Sequence, residues 1–185
     1  IVVSLLILTV FLPVLVLAML AVWLDDRGAV FYRQTRVTQG GRWFQILKLR
    51  TMRMNAEAAG GAVWAAAADS RITRVGAFLR RSRLDELPQL FNVLIGDMSL
   101  VGPRPERPEF IEELIKQLPL YQERHAVKAG MTGWAQINYP YGASLDDARS
   151  KLSYDLYYVK NFSILFDLLI IMQTLRVVIW PGGVR

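Results

Sequence analysis

The stretch Arg80-Arg81-Ser82-Arg83-Leu84-Asp85-Glu86-Leu87-Pro88-Gln89-Leu90-Phe91-Asn92-Val93-Leu94 sets three arginines against two adjacent carboxylates and then runs into an apolar pattern. Leu87, Leu90, Phe91 and Leu94 recur at helical spacing, which predicts a helix with Asp85 and Glu86 in its first turn. Unpaired N–H groups and the positive end of the macrodipole favour negative charge there. With guanidinium groups close by, both acids are expected to be ionised at neutral pH. An ionised carboxylate can attack phosphorus and carry an acyl phosphate. Its neighbour can hold a hard cation such as Mg²⁺, and arginines can screen phosphate oxygens as charge builds. A plainer reading has the acids completing a helix start with the arginines as surface partners, so the rest of the chain has to decide.

The 185 residues suffice for one sizeable core, or for one domain with an appendage. A hydrophobic content of 53% with a net charge of +6 suggests a membrane-associated protein that meets anionic ligands or lipids. There is no cysteine, which excludes disulfides and thiolate sites, and the single histidine, His125, excludes multi-histidine metal sites. The chain opens with Ile1 inside an apolar run, which suggests the C-terminal part of a longer protein.

Residues 1–24 carry no charge and, as one helix, reach about 36 Å, enough to cross a hydrocarbon core of about 30 Å. Pro13 near the middle removes a backbone donor and clashes with the carbonyl of Thr9. The residues leave two forms open: a kinked spanning helix, or a helix-break-helix that dips in and returns. All Lys and Arg lie beyond residue 24, with Arg27, Arg33, Arg36 and Arg42 close behind, which puts the body of the chain on the cytoplasmic side.

Residues 25–54 read as a hairpin. Asp25 to Gly28 is a turn, Val30 to Val37 partly alternates, Gln39 to Arg42 turns again, and Trp43 to Met52 alternates as a half-buried strand does. Lys48 and Arg50 share a face, either as a solvated strand surface or as a cationic wall for phosphates. Residues 55–69, rich in Ala and Gly, read as a loop or weak helix. Ser70 or Thr73 then caps a short helix from Arg74 to Arg83. Between Arg27 and Arg83 the basic residues face only Glu57 and Asp69.

Past the Asp85 helix, prolines on both sides of Arg104 hold the segment Gly102-Pro103-Arg104-Pro105 extended, either as a rigid turn or as a phosphate clamp. Pro108 to Gln122 reads as an amphipathic helix with Phe110, Ile111, Leu114, Ile115 and Leu118 inside. Arg124 to Asn138 reads as loop-rich, with Gly130 and Gly133 permitting tight turns or close ligand approach and Trp134 either buried or stacked on a base. Ser144-Leu145-Asp146-Asp147 is a capping box opening a helix to Tyr158. Phe162 to Trp180 is apolar but holds Asp167, which favours a helix lying along a membrane or packed under the first segment over one crossing the membrane.

Six segments taken together resemble the bacterial sugar transferase family, the monotopic phosphoglycosyl transferases: Val30 to Gln34, Lys48 to Met52, Arg80 to Asn92, Gly96 to Pro105, Gly130 to Gln136 and Tyr154 to Asn161. The resemblance covers Leu5 to about Val178. It implies an α+β fold, mostly helical, with a re-entrant membrane helix broken at Pro13, a small β-hairpin and amphipathic interfacial helices. It implies a membrane segment over 1–24, and a catalytic domain over 25–185 at the cytoplasmic face of a bacterial inner membrane, as the catalytic part of a larger family member. The implied reaction transfers a sugar 1-phosphate from a UDP-sugar to polyprenyl phosphate, with Mg²⁺ as cofactor, as the priming step of polysaccharide assembly. Asp85 matches the nucleophile that carries the phosphosugar, and Glu86 the partner acid that binds Mg²⁺ with it. Arg80 matches a phosphate-binding arginine, and Arg104 the arginine of a Pro-Arg-Pro motif near the nucleotide. Lys48 and Arg50 stand as the cationic wall. Leu12 and Ala129 depart from residues common in the family, a Ser and a Pro.

A competing class is a non-catalytic, basic, membrane-anchored module binding nucleic acid or anionic lipid. It predicts affinity that falls with salt and ignores UDP-sugar. The transferase reading expects no nucleic-acid partner and is compatible with an oligomer. A P-loop enzyme lacks its Gly-x-x-x-x-Gly-Lys-Ser/Thr segment here.

Overall fold

The computed structural model describes residues 1–54, 56, 69–140, 142 and 144–179. The loop expected over residues 55–69 lies outside these, except for residues 56 and 69. As expected, helices dominate, with a two-stranded antiparallel hairpin and an apolar N-terminal helix.

Helix α1 spans Val2–Asp25, is apolar enough and long enough to cross a membrane, and leaves most of its side chains exposed. Pro13 lies inside it, and the helical run continues past the proline. A proline withdraws one N–H donor, and the bonds on either side still hold the helix together. Thr9, whose carbonyl loses its donor, gives its own hydroxyl to the Leu5 carbonyl at 2.9 Å.

The hairpin strands are β1 (Phe31–Val37) and β2 (Trp43–Leu49). The turn between them uses Gly40 and Gly41, both at positive φ, as a tight reversal demands. The chain divides into two compact units, Ile1–Gln34 with Ile46–Leu94, and Thr35–Gln45 with Ile95–Arg185.

In the first unit α1 ends in two useful carboxylates. Asp25 Oδ2 accepts the backbone N–H of Val75 at 3.2 Å, at the start of α2 (Arg74–Ser82), and Asp26 Oδ2 accepts that of Met54 at 3.2 Å. Thr73 caps α2 by accepting from the Gly76 N–H at 3.0 Å, as the sequence suggests. Gly76 lies so close to the Thr51 carbonyl that no Cβ fits. Leu15 and Val22 of α1, Ile46 and Leu49 of β2, and Leu79 of α2 are buried. After α2, Arg83 takes a left-handed conformation (φ 59°), a 3-10 turn covers Leu84–Glu86, and helix α3 runs Gln89–Ile95. Asp85 and Glu86 therefore precede α3 rather than occupying its first turn. Pro88 has no N–H to give, so the regular helix starts beyond it.

The second unit holds a parallel pair that the sequence did not announce. Strand β3 (Ser99–Val101) pairs with β4 (Gly130–Thr132), Ser99 opposite Gly130 and Val101 opposite Thr132. Gly130 and Gly133 each press against Gly102, so their missing side chains serve backbone packing and not a ligand. Helix α4 stops at Gln117, five residues short of expectation, because Pro119 cannot extend it and Leu120 turns left-handed. Its Ile111 and Leu114 pack with Val37, Leu118, Tyr121 and Leu152. Trp134 opens the short helix α5 (Trp134–Asn138) and packs against Tyr157 and Phe166, 6.3 and 5.0 Å between ring centres. Helix α6 (Leu145–Asn161) starts on the expected box, Ser144 and Asp147 satisfying each other's backbone N–H groups. Helix α7 (Ile164–Ile179) buries Ile170, and Asp167 accepts a 2.8 Å hydrogen bond from the Tyr158 hydroxyl.

Candidate active site

The first unit gathers the expected carboxylates and three cations. The 3-10 turn buries Asp85 and Glu86 together, each 8% exposed. Lys48, near the end of β2, donates from Nζ to Glu86 Oε1 at 2.8 Å. The register that brings it there is held by Asn92 of α3, whose buried side-chain oxygen accepts the N–H of Leu47 at 3.0 Å. Arg80, on the last turn of α2, donates from Nε to Thr51 Oγ1 at 2.8 Å and so faces inward with a fixed plane.

Asp85 differs from its neighbour. Its Oδ1 is buried and has no hydrogen-bond partner. Burial pushes the carboxyl above its ordinary value, and Glu86 adds to this, while Lys48, Arg80 and Arg83 pull the other way. Helix N–H groups, the macrodipole and the nearby cations, all legible in the sequence, favour the ionised form, whereas burial is not legible there. Loss of water outweighs them. A partly starved carboxylate is a stronger nucleophile than one wrapped in hydrogen bonds, and it is what a site uses when the missing partner arrives with the substrate.

The pair also suits Mg²⁺. This ion keeps several waters and binds through one or two carboxylates plus substrate phosphates. Asp85 Oδ1, lacking a partner, and Glu86 beside it are the residues that would hold such an ion. Among the described residues no larger cluster of His, Cys, Asp and Glu gathers as a metal site.

Arg50 does not join them. It is 8% exposed, donates to the Asp26 carbonyl and contacts Met54 Sδ at 2.8 Å, which ties the start of the hairpin to the end of α1. The Lys48 to Met52 segment thus divides its labour: Lys48 serves Glu86, Thr51 serves Arg80, and Arg50 serves the scaffold. Thr51 and Asn92 carry no signal of their own in the sequence, since both act by holding something else.

Arg104 belongs to the second unit. The chain around it is pinned by its carbonyls: Arg124 Nη2 donates to the Arg104 carbonyl at 2.9 Å and Arg36 Nη1 to that of Pro105 at 3.1 Å. Arg124 is fixed in turn by buried Asp155, at 2.7 Å, and by the Tyr121 hydroxyl, at 3.1 Å. Arg104 lines a small pocket with Pro103, Arg124 and His125. Burial, with Arg124 alongside, lowers the His125 pKa to about 4, so the ring is neutral.

A family model described as bacterial sugar transferase matches residues 1–181. A UDP-N-acetylgalactosamine-undecaprenyl-phosphate N-acetylgalactosaminephosphotransferase of Aeromonas hydrophila is 45% identical over 95% of the chain and 41% of its own length. A UDP-glucose:undecaprenyl-phosphate glucose-1-phosphate transferase of Xanthomonas campestris pv. campestris is 43% identical over 88% of the chain and 34% of its own length. The exopolysaccharide production protein PSS of Rhizobium leguminosarum bv. phaseoli is 42% identical over 90% of the chain and 86% of its own length. The chain thus spans well under half of the first two relatives. With the match running from the first residue of α1 past the end of α7, the chain belongs to the bacterial sugar transferase family.

Proposed function

We propose that this chain carries the catalytic centre of a phosphoglycosyl transferase, which moves a sugar 1-phosphate from a UDP-sugar to a polyprenyl phosphate such as undecaprenyl phosphate, at the cytoplasmic face of a bacterial inner membrane. The observation that carries the reading is Asp85: a buried carboxylate with an unpartnered oxygen, beside a second acid that Lys48 already neutralises. The names of the relatives, which specify UDP-sugars and undecaprenyl phosphate, support the substrates.

In the first step Asp85 attacks the sugar-bearing phosphorus. The new O–P bond forms as the bond from that phosphorus to the bridging oxygen breaks, and UMP leaves with the electron pair. In the second step an oxygen of polyprenyl phosphate attacks the same phosphorus and Asp85 departs as a free carboxylate. Arg80 and Arg83 offset charge on the transferring group, and Lys48 keeps Glu86 from repelling it. Mg²⁺ held by Asp85 and Glu86 would supply further positive charge toward the phosphates. Arg104, on its pinned loop, is assigned to the nucleotide.

UMP release from UDP-sugar without acceptor, with one equivalent of sugar phosphate retained on the protein, is the expected result. Asp85→Asn abolishes it, and retained activity in that variant refutes the assignment. Glu86→Gln raises the Mg²⁺ concentration needed for half-maximal rate; an unchanged titration removes Glu86 from the metal.

A further inference from the structure

Gln89 opens α3, one turn beyond Asp85. It is 2% exposed, among the most deeply buried side chains, and its Nε2 has no hydrogen-bond partner. Buried amides almost always find one, and an unpartnered donor costs stability unless a ligand satisfies it. Between the two residues runs a 3-10 turn to Glu86, then Leu87 at φ −52° and ψ −39°, whose carbonyl accepts the Leu90 N–H as α3 begins. Four residues of such tightly wound backbone advance only about 6–8 Å. A buried acceptor, Asp85 Oδ1, and a buried donor, Gln89 Nε2, therefore stand one turn apart, each unsatisfied, and they do not satisfy each other.

We propose that the Gln89 amide binds an oxygen of the phosphoryl group that Asp85 takes up, an inference that rests on Asp85 being the attacking group. Phosphoryl oxygens are strong acceptors and carry the charge that builds as the group transfers. A lysine or arginine at this position would pair with Asp85 and bind the nucleophile before the substrate came. A neutral amide donates to the phosphate and leaves the carboxylate free. The ligand is of one chemical class, a sugar-bearing phosphoryl group, bound by diphosphate in the donor and by Asp85 in the adduct.

The test compares the wild-type chain, Gln89→Met and Asp85→Asn in detergent, with UDP-glucose and UDP-N-acetylgalactosamine as probes. Two quantities are read: the melting temperature without ligand, and the burst of UMP released without polyprenyl phosphate. Methionine keeps the volume and removes the unsatisfied donor. Gln89→Met is expected to melt at or above the wild type while its burst rate falls about ten- to a hundredfold, the loss of one hydrogen bond to a charged group. A normal burst in Gln89→Met overturns the proposal, as does a lowered melting temperature, which would mean that the amide satisfies a protein group or a buried water. Gln89→Glu, of the same shape but with the donor replaced by an acceptor, is expected to lose the burst at least as fully; a normal burst there also overturns it. If Asp85→Asn keeps its burst, or the wild type shows none with either probe, the assignment of Asp85 fails and this inference with it.

Discussion

At Asp85, function and stability pull in opposite directions, and the shift of its pKa gives the sign. The folded value lies above the ordinary carboxylate value of 3.8, so between the two the folded state holds more protons than the unfolded one. The stability this group contributes is full below about 3.8 and is lost as pH rises through the folded value. At neutral pH the ionised carboxylate is a net cost. Asp85→Asn is therefore expected to melt higher than the wild type at pH 7, by about 2–4 °C for each kcal/mol released, and to lose this advantage as pH drops. Scanning calorimetry of both proteins from pH 4 to 7.5 checks it. A lower melting temperature for Asp85→Asn at pH 7 would mean that the cations outweigh burial. Charge order together with the family resemblance singled out Asp85, Glu86, Lys48 and Arg80 in the sequence. It could not separate Lys48 from Arg50, two residues on the same face, because their fates depend on what lies opposite: Glu86 for one, the end of α1 for the other. Nor could it find Gln89, since an unremarkable glutamine in an amphipathic pattern acquires meaning only when its surroundings are seen to leave it unpaired.

Helix α2 is the element that presents Arg80, and its position depends on a glycine. Gly76 sits where a Cβ would run into the Thr51 backbone, while the Thr51 side chain receives Arg80 Nε and its carbonyl accepts the Thr73 N–H at 3.1 Å. Alanine is the better helix former by about 1 kcal/mol, yet at this contact it must push α2 off the strand end. Gly76→Ala is expected to destabilise the protein by about 2 kcal/mol, the scale of an overpacked core, and to raise KM for UDP-sugar as Arg80 is drawn out of line. Denaturant midpoints and steady-state kinetics read both, and a variant as stable as the wild type would show that α2 can shift freely. The cap of α2, the hairpin and the Ser144 box were legible because each rests on local chemistry. The β3–β4 pair was not, since three-residue strands joined across some thirty residues have too little period to register and are held by contacts at Gly102, Gly130 and Gly133. At Pro13 the residues alone leave a kink and a break equally open and only the family resemblance implies the break; α1 shows that one missing donor need not end a long apolar helix.

For the whole molecule, apolar surface and net charge are rival anchors to a membrane. Helix α1 exposes Leu6, Val10 and Leu17, and α7 exposes Ile164, Leu165 and Met172, all at more than half of their accessible area. The chain also carries a net charge of +6, which draws it to anionic headgroups. The two terms respond differently to salt. Apolar burial, worth about 25 cal/mol per Å², survives it, whereas headgroup attraction fades once the Debye length shrinks to about 3 Å at about 1 M. The protein is expected to stay with the membrane pellet through washing at about 1 M salt and to leave only with detergent. Replacing Leu165 and Met172 by glutamine then separates the helices. If α1 is the anchor, this double variant stays in the pellet and changes only the rate with polyprenyl phosphate, the proposed acceptor, whose long tail would approach along the membrane surface. Release of the wild type by salt alone would assign the anchor to charge and leave the exposed faces of α1 and α7 to some other cover.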